Sequence, residues 1–370
     1  MIKVCHVTSV HSPEDVRIFQ KECVSLAKAG YDVTLVQQGS STYEKSGVHL
    51  VGYGERPASR VKRMLFAARA AYQKALEVDA DVYHLHDPEL LPYGLKLKRK
   101  GKTVIFDSHE DVSAQILEKY WIPAPLRRLV AGMFRRYEAH VLKKLDGAVS
   151  VTPHICQYLR QICPRVEMVC NYPMWEELPP PSFQSRKIVF PGLISEIWCI
   201  DVLLKAMESV GDVTLELRSG NVEKPYYDTL TSLPAWKKVN FPGKVSHREV
   251  LALLRECMCG IALADYTPNV GGKQGTLGNT KIFEYMMAGL PVVCTDFVLW
   301  KEIVDRWQCG ICVPPRDADQ IASAIRSLLD HPEEARRMGE NGRRAVKEAY
   351  NWAVEEKKLL AFYTDLKVAP

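Results

Sequence analysis

The second half of this chain alternates short apolar runs with amphipathic segments five times, and that rhythm limits the folds open to it. Lys187–Phe190, Val213–Arg218, Val239–Phe241, Gly260–Ala264 and Pro291–Cys294 read as strands, with helices starting at Asp201, Tyr226, Ser246, Lys281 and Asp317. Parallel neighbours need a long crossover, normally a helix, so strict alternation predicts a doubly wound parallel α/β sheet. The first half opens the same way. Strand Lys3–Thr8 is followed by a helix over Gln20–Ala29 closed by Gly30, and then by strand Asp32–Val36. Further strands are expected at Asp81–His86, Thr103–Asp107, Asp146–Thr152 and Val166–Pro173. Helices are expected at Arg60–Leu76, Leu90–Arg99, Pro125–Lys144 and Pro153–Gln161.

At 370 residues the chain exceeds one ordinary core and suffices for two of roughly 150–190 residues each. The proline-rich stretch Glu176–Ser185 is the clearest punctuation. The expected division is a first domain over 1–173, a linker over 174–186, a second domain over 187–350 and a C-terminal helical segment over 351–370. Hydrophobic residues at 47% and charged residues at 25% exclude a disordered chain or a coiled coil. No apolar run approaches the roughly 20 residues needed to span a bilayer, which predicts a cytoplasmic protein. Eleven scattered cysteines without paired metal spacing suit reduced core thiols.

Charge is concentrated rather than large. The formal net charge is +5, but basic residues crowd into Arg56–Arg69, Lys96–Lys100 and Arg127–Lys144. In the last of these, arginines interleave with Leu129, Val130, Met133, Phe134 and Tyr137; such a helix suits an anionic membrane surface or an ordinary solvated face. No aromatic platform or recognised motif for nucleic acid accompanies the clusters, so that partner is not expected.

Chemistry gathers at strand ends. Asn279 or Thr280 opens a helix that Gly289 stops, ahead of strand Pro291–Cys294. A helix starting at a strand's carboxyl end aims unpaired N–H groups at the crevice where α/β sheets bind ligands, which suits a diphosphate. Lys281 in the first turn opposes the helix dipole unless an anion is near, and Glu284 at i+3 shares its face, offering a carboxylate to two ribose hydroxyls. The same pair could be a solvated surface contact. Asp265 to Asn279 is a glycine-rich loop containing Lys273 and suits a lid. The turn Pro242-Gly243-Lys244 could rim a base pocket, ahead of a capping box at Ser246 and Glu249. In the first half, His84, His86, Asp87, His109, Glu110 and Asp111 fall at strand tips, with His86 and His109 foremost; a His/Asp/Glu metal cluster there is an alternative. The turn Ser9–Arg17 lacks G-x-G-x-x-G, which argues against a Rossmann dehydrogenase.

Taken together, His11–Glu22, His84–Glu89, Phe106–Asp111 and Gly278–Cys294 resemble the GT-B-fold retaining glycosyltransferases of group 1, family four, which build bacterial surface polysaccharides and glycolipids. The resemblance implies two Rossmann-like doubly wound domains with the last helix crossing back to the first. It implies transfer of a sugar from a nucleotide donor, UDP- or GDP-sugar foremost, to a glycan or lipid-linked acceptor with retention, without metal or other cofactor. By position, Glu284 holds the ribose, while Lys281, Asn279 and Thr280 hold the diphosphate and Gly192 lets a backbone N–H approach it. Arg218 and Lys273 add cations, and His11, Arg17, His86, Asp87 and His109 face sugar or acceptor. His109, Lys281 and Glu284 are the expected catalytic set.

Three positions depart from the family pattern. Thr276 stands where an acid is usual, eight before Glu284; Leu193 stands for an arginine and Trp198 for a lysine of the diphosphate clamp. Either Lys281, with Lys273 or Arg218, replaces the clamp, or the chain is a degenerate sugar-nucleotide-binding or scaffold subunit. A GT-B epimerase or phosphorylase is a further alternative.

Overall fold

The computed structural model describes residues 1–55, 66–119 and 122–366. The basic cluster at Arg56–Arg69 and the start of the helix expected from Arg60 lie largely outside them; the described helix there is Ala68–Val78. The chain divides into two compact units, residues 1–171 with 352 onward, and Tyr172–Asn351.

In the first unit, strands β1 (Lys3–Val7), β2 (Asp32–Gln37), β3 (Thr42–Lys45), β4 (Val48–Gly52), β5 (Val82–Leu85), β6 (Thr103–Ser108), β7 (Gly147–Ser150) and β8 (Val166–Met168) form one sheet. Its spatial order is β3-β4-β2-β1-β5-β6-β7-β8. The pairings are parallel except β3 with β4, a hairpin whose strand β3 is exposed throughout. Sequence periodicity missed this hairpin because an edge strand facing water has no apolar row to show. The order reverses between β1 and β5, which places a crevice at their carboxyl ends.

The first crossover is not the regular helix expected over Gln20–Ala29. It begins at Val16 and runs as a π-helical segment to Cys23 before continuing as an α-helix over Val24–Lys28. Asp15 opens it, its carboxylate accepting from Arg17 N at 2.9 Å and Ile18 N at 3.1 Å. Pro13 and the polar turn masked this start in the sequence.

The second unit holds β9 (Lys187–Pro191), β10 (Thr214–Arg218), β11 (Val239–Asn240), β12 (Cys259–Ala262), β13 (Val292–Thr295) and β14 (Gly310–Val313). All pair in parallel, in the order β11-β10-β9-β12-β13-β14. The five expected strands are present, and β14 is a sixth. Between the strands lie helices such as Ile200–Ser209, Lys224–Thr231, His247–Leu254 and Ala318–Asp330. The expected capping box is formed: Ser246 accepts from Glu249 N, and Glu249 Oε2 accepts from Ser246 N at 2.7 Å. Helices Val298–Trp307 and Pro332–Glu348 were not anticipated; the second is so polar on its outer face that its apolar stripe is narrow.

The stretch expected as the linker packs on the second unit. Leu178 and Phe183 are buried, Ser182 N donates to Arg255 O at 3.0 Å, and Tyr172 stacks edge-on against Phe283 and Tyr350. One residue earlier, Asn171 takes the Lys21 ammonium at 2.6 Å and belongs to the first unit. Helix Trp352–Asp365 also belongs there. Its Glu355 accepts from Cys170 N at 2.7 Å, and Trp352, Leu359, Phe362 and Tyr363 join the apolar layer beside β1 and β2. Among the described residues, no helix is long and apolar enough to cross a membrane.

Candidate functional site

In the second unit the chemistry collects at the carboxyl ends of β9, β10 and β12, where the strand order reverses. The helix Lys281–Ala288 starts there and stops at Gly289, which adopts φ 79° and donates its N–H to Met286 O at 3.0 Å. It opens at the expected residues, with the capping bond made by Asn279. Thr280 sits at the cap position, but its hydroxyl turns to Glu284 Oε1 at 3.2 Å, and Asn279 Oδ1 accepts from Lys281 N at 3.2 Å. The remaining first-turn N–H groups have no intrahelical acceptor, so a ligand anion can still use them.

Lys281 is only partly exposed. Its ammonium lies 3.5 Å from the centre of the Trp198 ring and 5.1 Å from that of Phe190. Burial lowers its pKa to about 8, against the opposing pull of Glu284. The indole that occupies the usual clamp-lysine position therefore holds another cation, a pairing that strengthens on desolvation. Sequence reasoning counted Trp198 only as a loss, since nothing in spacing links positions 198 and 281.

Gly192 plays a different part from the one expected. Its N–H is already donated to Arg218 O at 2.8 Å, so it is not offered to a phosphate. What matters is its missing side chain: a Cβ there would stand 2.7 Å from Lys281 Cε and 2.9 Å from Nζ. Arg218 does line the cavity beside Gly192, but its guanidinium is already engaged. Its guanidinium donates to Glu216 Oε2 at 2.6 Å and to Leu217 O and Asn240 O at 2.9 Å each, all parts of its own sheet edge. Lys273 remains exposed near the Tyr266 ring, and Leu193 is exposed where the clamp arginine is usual.

Beside Gly192 opens a cavity of about 180 Å³ lined by Pro191, Ser219, Gly220, Lys244 and Val245 among others. That is smaller than a whole-ligand pocket and has room for one ring system. Lys244 lines it, as the turn reading anticipated. A larger depression of about 350 Å³ between helices Val298–Trp307 and Pro332–Glu348 contains none of these groups. The glycine-rich loop is more ordered than a bare lid: Pro268–Val270 and Gly272–Gln274 form 3₁₀ turns, and Trp300 Nε1 donates to Thr276 O at 2.7 Å.

In the first unit the expected residues come together but divide into positioned and positioning groups. Asp87 is buried, and its Oδ2 accepts from Thr8 Oγ1 at 2.9 Å, Ser9 N at 2.6 Å and Val10 N at 3.3 Å. It also pairs with His11 at 3.2 Å. Burial disfavours the imidazolium of His11, but the hydrogen bond and charge of Asp87 outweigh it and its pKa is raised. Asp87 thus shapes the first turn rather than meeting a ligand. Arg17 is likewise interior: it donates to Asp107 at 3.0 and 3.2 Å and to Val169 O at 2.9 Å, and lies 3.0 Å from Glu22. His86 is also buried, its ring stacked on those of His84 and His109. The acceptor-facing assignments of Arg17, His86 and Asp87 are therefore corrected, because interior partners already occupy them.

His11 and His109 stay at the surface of this group, ring centres 5.1 Å apart. The His109 side chain is 18% exposed, and its Nε2 lies 3.8 Å from Asp107. Burial, opposed by Asp107, lowers its pKa to about 3, so at neutral pH it offers a neutral imidazole. Sequence reasoning missed His6 and Glu22, whose side chains are fully buried within this cluster. The pairing of His6 with His84 on neighbouring strands was the signal that could have found the first.

Comparison with known proteins decides the family. The family model for Glycosyltransferase Family 4 matches residues 17–171, and that for Glycosyl transferases group 1 matches residues 184–345. The chain belongs to the group 1, family 4 glycosyltransferases. It is 20% identical over 286 residues to the D-rhamnosyltransferase WbpZ of Pseudomonas aeruginosa, covering 72% of this chain and 69% of that one. It is 35% identical over 81 residues to an MMP alpha-(1->4)-mannosyltransferase of Mycolicibacterium hassiacum, 22% of this chain and only 20% of that relative. The glycogen synthase of Mycobacterium tuberculosis matches over 26% of its length, so the chain aligns with a minor part of these two relatives.

The fold is GT-B. Sucrose-phosphate synthase from Thermosynechococcus elongatus superposes with TM-score 0.79 at 16% identity, covering all of both chains. Anabaena HepE in complex with UDP and glucose superposes with TM-score 0.73 at 13% identity, over 99% of this chain and 100% of that one.

Proposed function

We propose that this group 1 glycosyltransferase moves a sugar from a nucleoside-diphosphate donor to a glycan or lipid-linked acceptor, with retention and without a metal at the donor site. The observation that carries the reading is the meeting of Lys281, Glu284 and a helix N-terminus beside a ring-sized cavity at the switch point of the second sheet. In this reading the base enters the cavity by Gly192 and Lys244, the ribose hydroxyls donate to Glu284, and the diphosphate lies against Lys281 and the first-turn N–H groups. As the glycosidic bond breaks, charge develops on the departing diphosphate, and prepositioned donors stabilise it without reorganisation. The acceptor hydroxyl attacks the face the leaving group vacates. Lys281, pressed on Trp198, is the proposed replacement for the missing clamp. The bound UDP and sugar of the HepE structure, and the rhamnosyl and mannosyl transfers named for the relatives, support the class of donor. His109 and His11 are the proposed sugar- or acceptor-facing groups of the first unit.

Peripheral contact with the cytoplasmic membrane face is part of the proposal. Helix Ala124–Leu142 exposes Leu126, Leu129, Val130, Met133 and Tyr137 alongside Arg128 and Arg136, a pattern that suits an anionic surface.

A second reading is a donor-binding subunit without turnover. Exposed Leu193 and the Arg218 guanidinium committed to Glu216 favour it. A thermal-shift panel of UDP-, GDP-, ADP-, TDP- and CMP-sugars, with and without EDTA, tests both. A shift for one donor that persists in EDTA and vanishes in Glu284→Ala supports the donor site, and sugar release or transfer then separates enzyme from binding subunit. No shift with any donor would sink both.

A further inference from the structure

Three imidazoles share one face of the first sheet. His6 and His84 are register partners on β1 and β5, and His86 lies two residues beyond His84, so the period of two points all three the same way. Their ring centres form a near-equilateral triangle of 4.6, 4.8 and 5.1 Å. Glu22 closes the group from the π-helical segment, its Oε2 3.8 Å from His6 Nδ1 and 3.9 Å from His86 Nε2. All four side chains are excluded from solvent, and one ligating atom from each lies within 4.8 Å of the other three.

Polar atoms here outnumber partners. Among the described residues, His84 Nε2 makes no hydrogen bond, and Glu22 meets only charged or titratable groups, Asp107, Arg17, His6 and His86. Arg17 Nε comes within 3.0 Å of Glu22 Oε1 but out of hydrogen-bond alignment. His6 Nδ1 and His86 Nε2 lie 2.8 Å apart, so one proton must serve both. Each imidazole's far nitrogen, in contrast, faces an outer group. The Tyr363 hydroxyl is 2.9 Å from His84 Nδ1 and 3.3 Å from His6 Nε2, and Asp107 Oδ2 is 3.5 Å from His86 Nδ1. Ligand nitrogens turned inward with their other nitrogens held by hydroxyl or carboxylate is the arrangement that orients metal-binding histidines.

We propose that His6 Nδ1, His84 Nε2, His86 Nε2 and Glu22 hold one divalent transition-metal ion of the zinc class, the kind that imidazole and carboxylate donors suit. The ion takes the place of the proton between His6 and His86, which moves to the far nitrogen of the imidazole that carried it and is donated there to Tyr363 or Asp107. It also takes the lone pair of His84 Nε2 that has no partner. Donor atoms of a tetrahedral zinc site stand about 3.4 Å apart, so the widest pair must close by about 1.4 Å, within reach of side-chain torsions. With four protein ligands and no access for water, the ion is structural. It ties β1 and β5 to the segment carrying Arg17. The site lies wholly in the first unit, and donor binding by Lys281 and Glu284 of the second unit is a separate claim.

The test is metal analysis of the full chain with any affinity tag removed, alongside Glu22→Gln, His84→Gln and, as a control at an exposed histidine, His49→Gln. One equivalent per chain, kept in His49→Gln and lost in the other two, is expected. Zn²⁺ added to chelator-stripped protein should raise the thermal midpoint of wild type. If the cluster variants do not fold, Co²⁺ loaded into wild type gives the answer: visible bands of four-coordinate cobalt without thiolate charge transfer are expected. A thiolate-to-cobalt band would put the metal on cysteines, and substoichiometric metal with no response to Zn²⁺, Co²⁺ or Ni²⁺ would leave a purely hydrogen-bonded cluster. Either result overturns the proposal.

Discussion

Lys281 is a lysine held near the edge of neutrality, and its pH dependence is the sharpest consequence of the donor site. Burial against Trp198 and Phe190 brings its pKa to about 8, although Glu284 opposes the shift. A lowered lysine pKa means the ammonium is present below that value and lost above it. The protonated fraction in the free protein falls from about nine-tenths at pH 7 to about one-tenth at pH 9. If the diphosphate binds the ammonium, affinity for UDP or GDP should fall about tenfold over that interval, or about 1.4 kcal/mol. The terminal phosphate is not the source, because it is largely ionised above about pH 7. The base N–H of uracil or guanine, which begins to ionise at the alkaline end of this interval, contributes equally to wild type and Lys281→Arg, so the difference between them is the lysine's share. Titration calorimetry at pH 7, 8 and 9 measures the fall, and at pH 9 binding should take up close to one proton. Lys281→Arg stays charged throughout and should show only the contribution of the base. Trp198→Ala wets the ammonium and should move the decline to higher pH. An affinity flat with pH in wild type, or an alkaline decline that survives undiminished in Lys281→Arg, refutes the reasoning.

The other expectations are simpler. In the proposed donor site Glu284 accepts from two ribose hydroxyls, so Glu284→Ala should weaken nucleotide binding on the order of 10²-fold, read by the same calorimetry, with an unchanged melting point in the absence of ligand. Asp87→Ala removes a buried carboxylate that pairs with the partly exposed His11 and leaves the Ser9 and Val10 N–H groups without their acceptor, which should cost about 1–3 kcal/mol in urea unfolding; no measurable loss would return Asp87 to a ligand-facing role. Arg128→Glu with Arg136→Glu should reduce flotation with anionic vesicles and leave flotation with zwitterionic ones unchanged. Equal loss on both vesicle types would remove the electrostatic argument.

The sequence by itself determined the architecture of both units and the helix around Lys281 and Glu284. Alternating apolar runs can be satisfied only by parallel strands with helical crossovers, and Gly289 stops its helix by local stereochemistry. The Ser246 capping box was legible for the same reason, as a bond between residues three apart. What local pattern could not supply was the partner of each polar group. Asp87 read as ligand-facing because charge at a strand tip suits a site, Arg17 by resemblance and Arg218 as a spare cation; the fold engages them with the turn Thr8–Val10, with Asp107 and with Glu216. Trp198 read as a missing cation until the structure laid Lys281 across its ring, and Gly192 as a phosphate contact until its N–H was found bound to Arg218 O. His6, Glu22, His84 and His86 meet because strand register and a π-helical turn superimpose positions up to 80 residues apart. Periodicity fixes which way a side chain points, but only the packed sheet decides what it meets, since burial turns an unpaired polar atom from a solvated group into one that must find a partner.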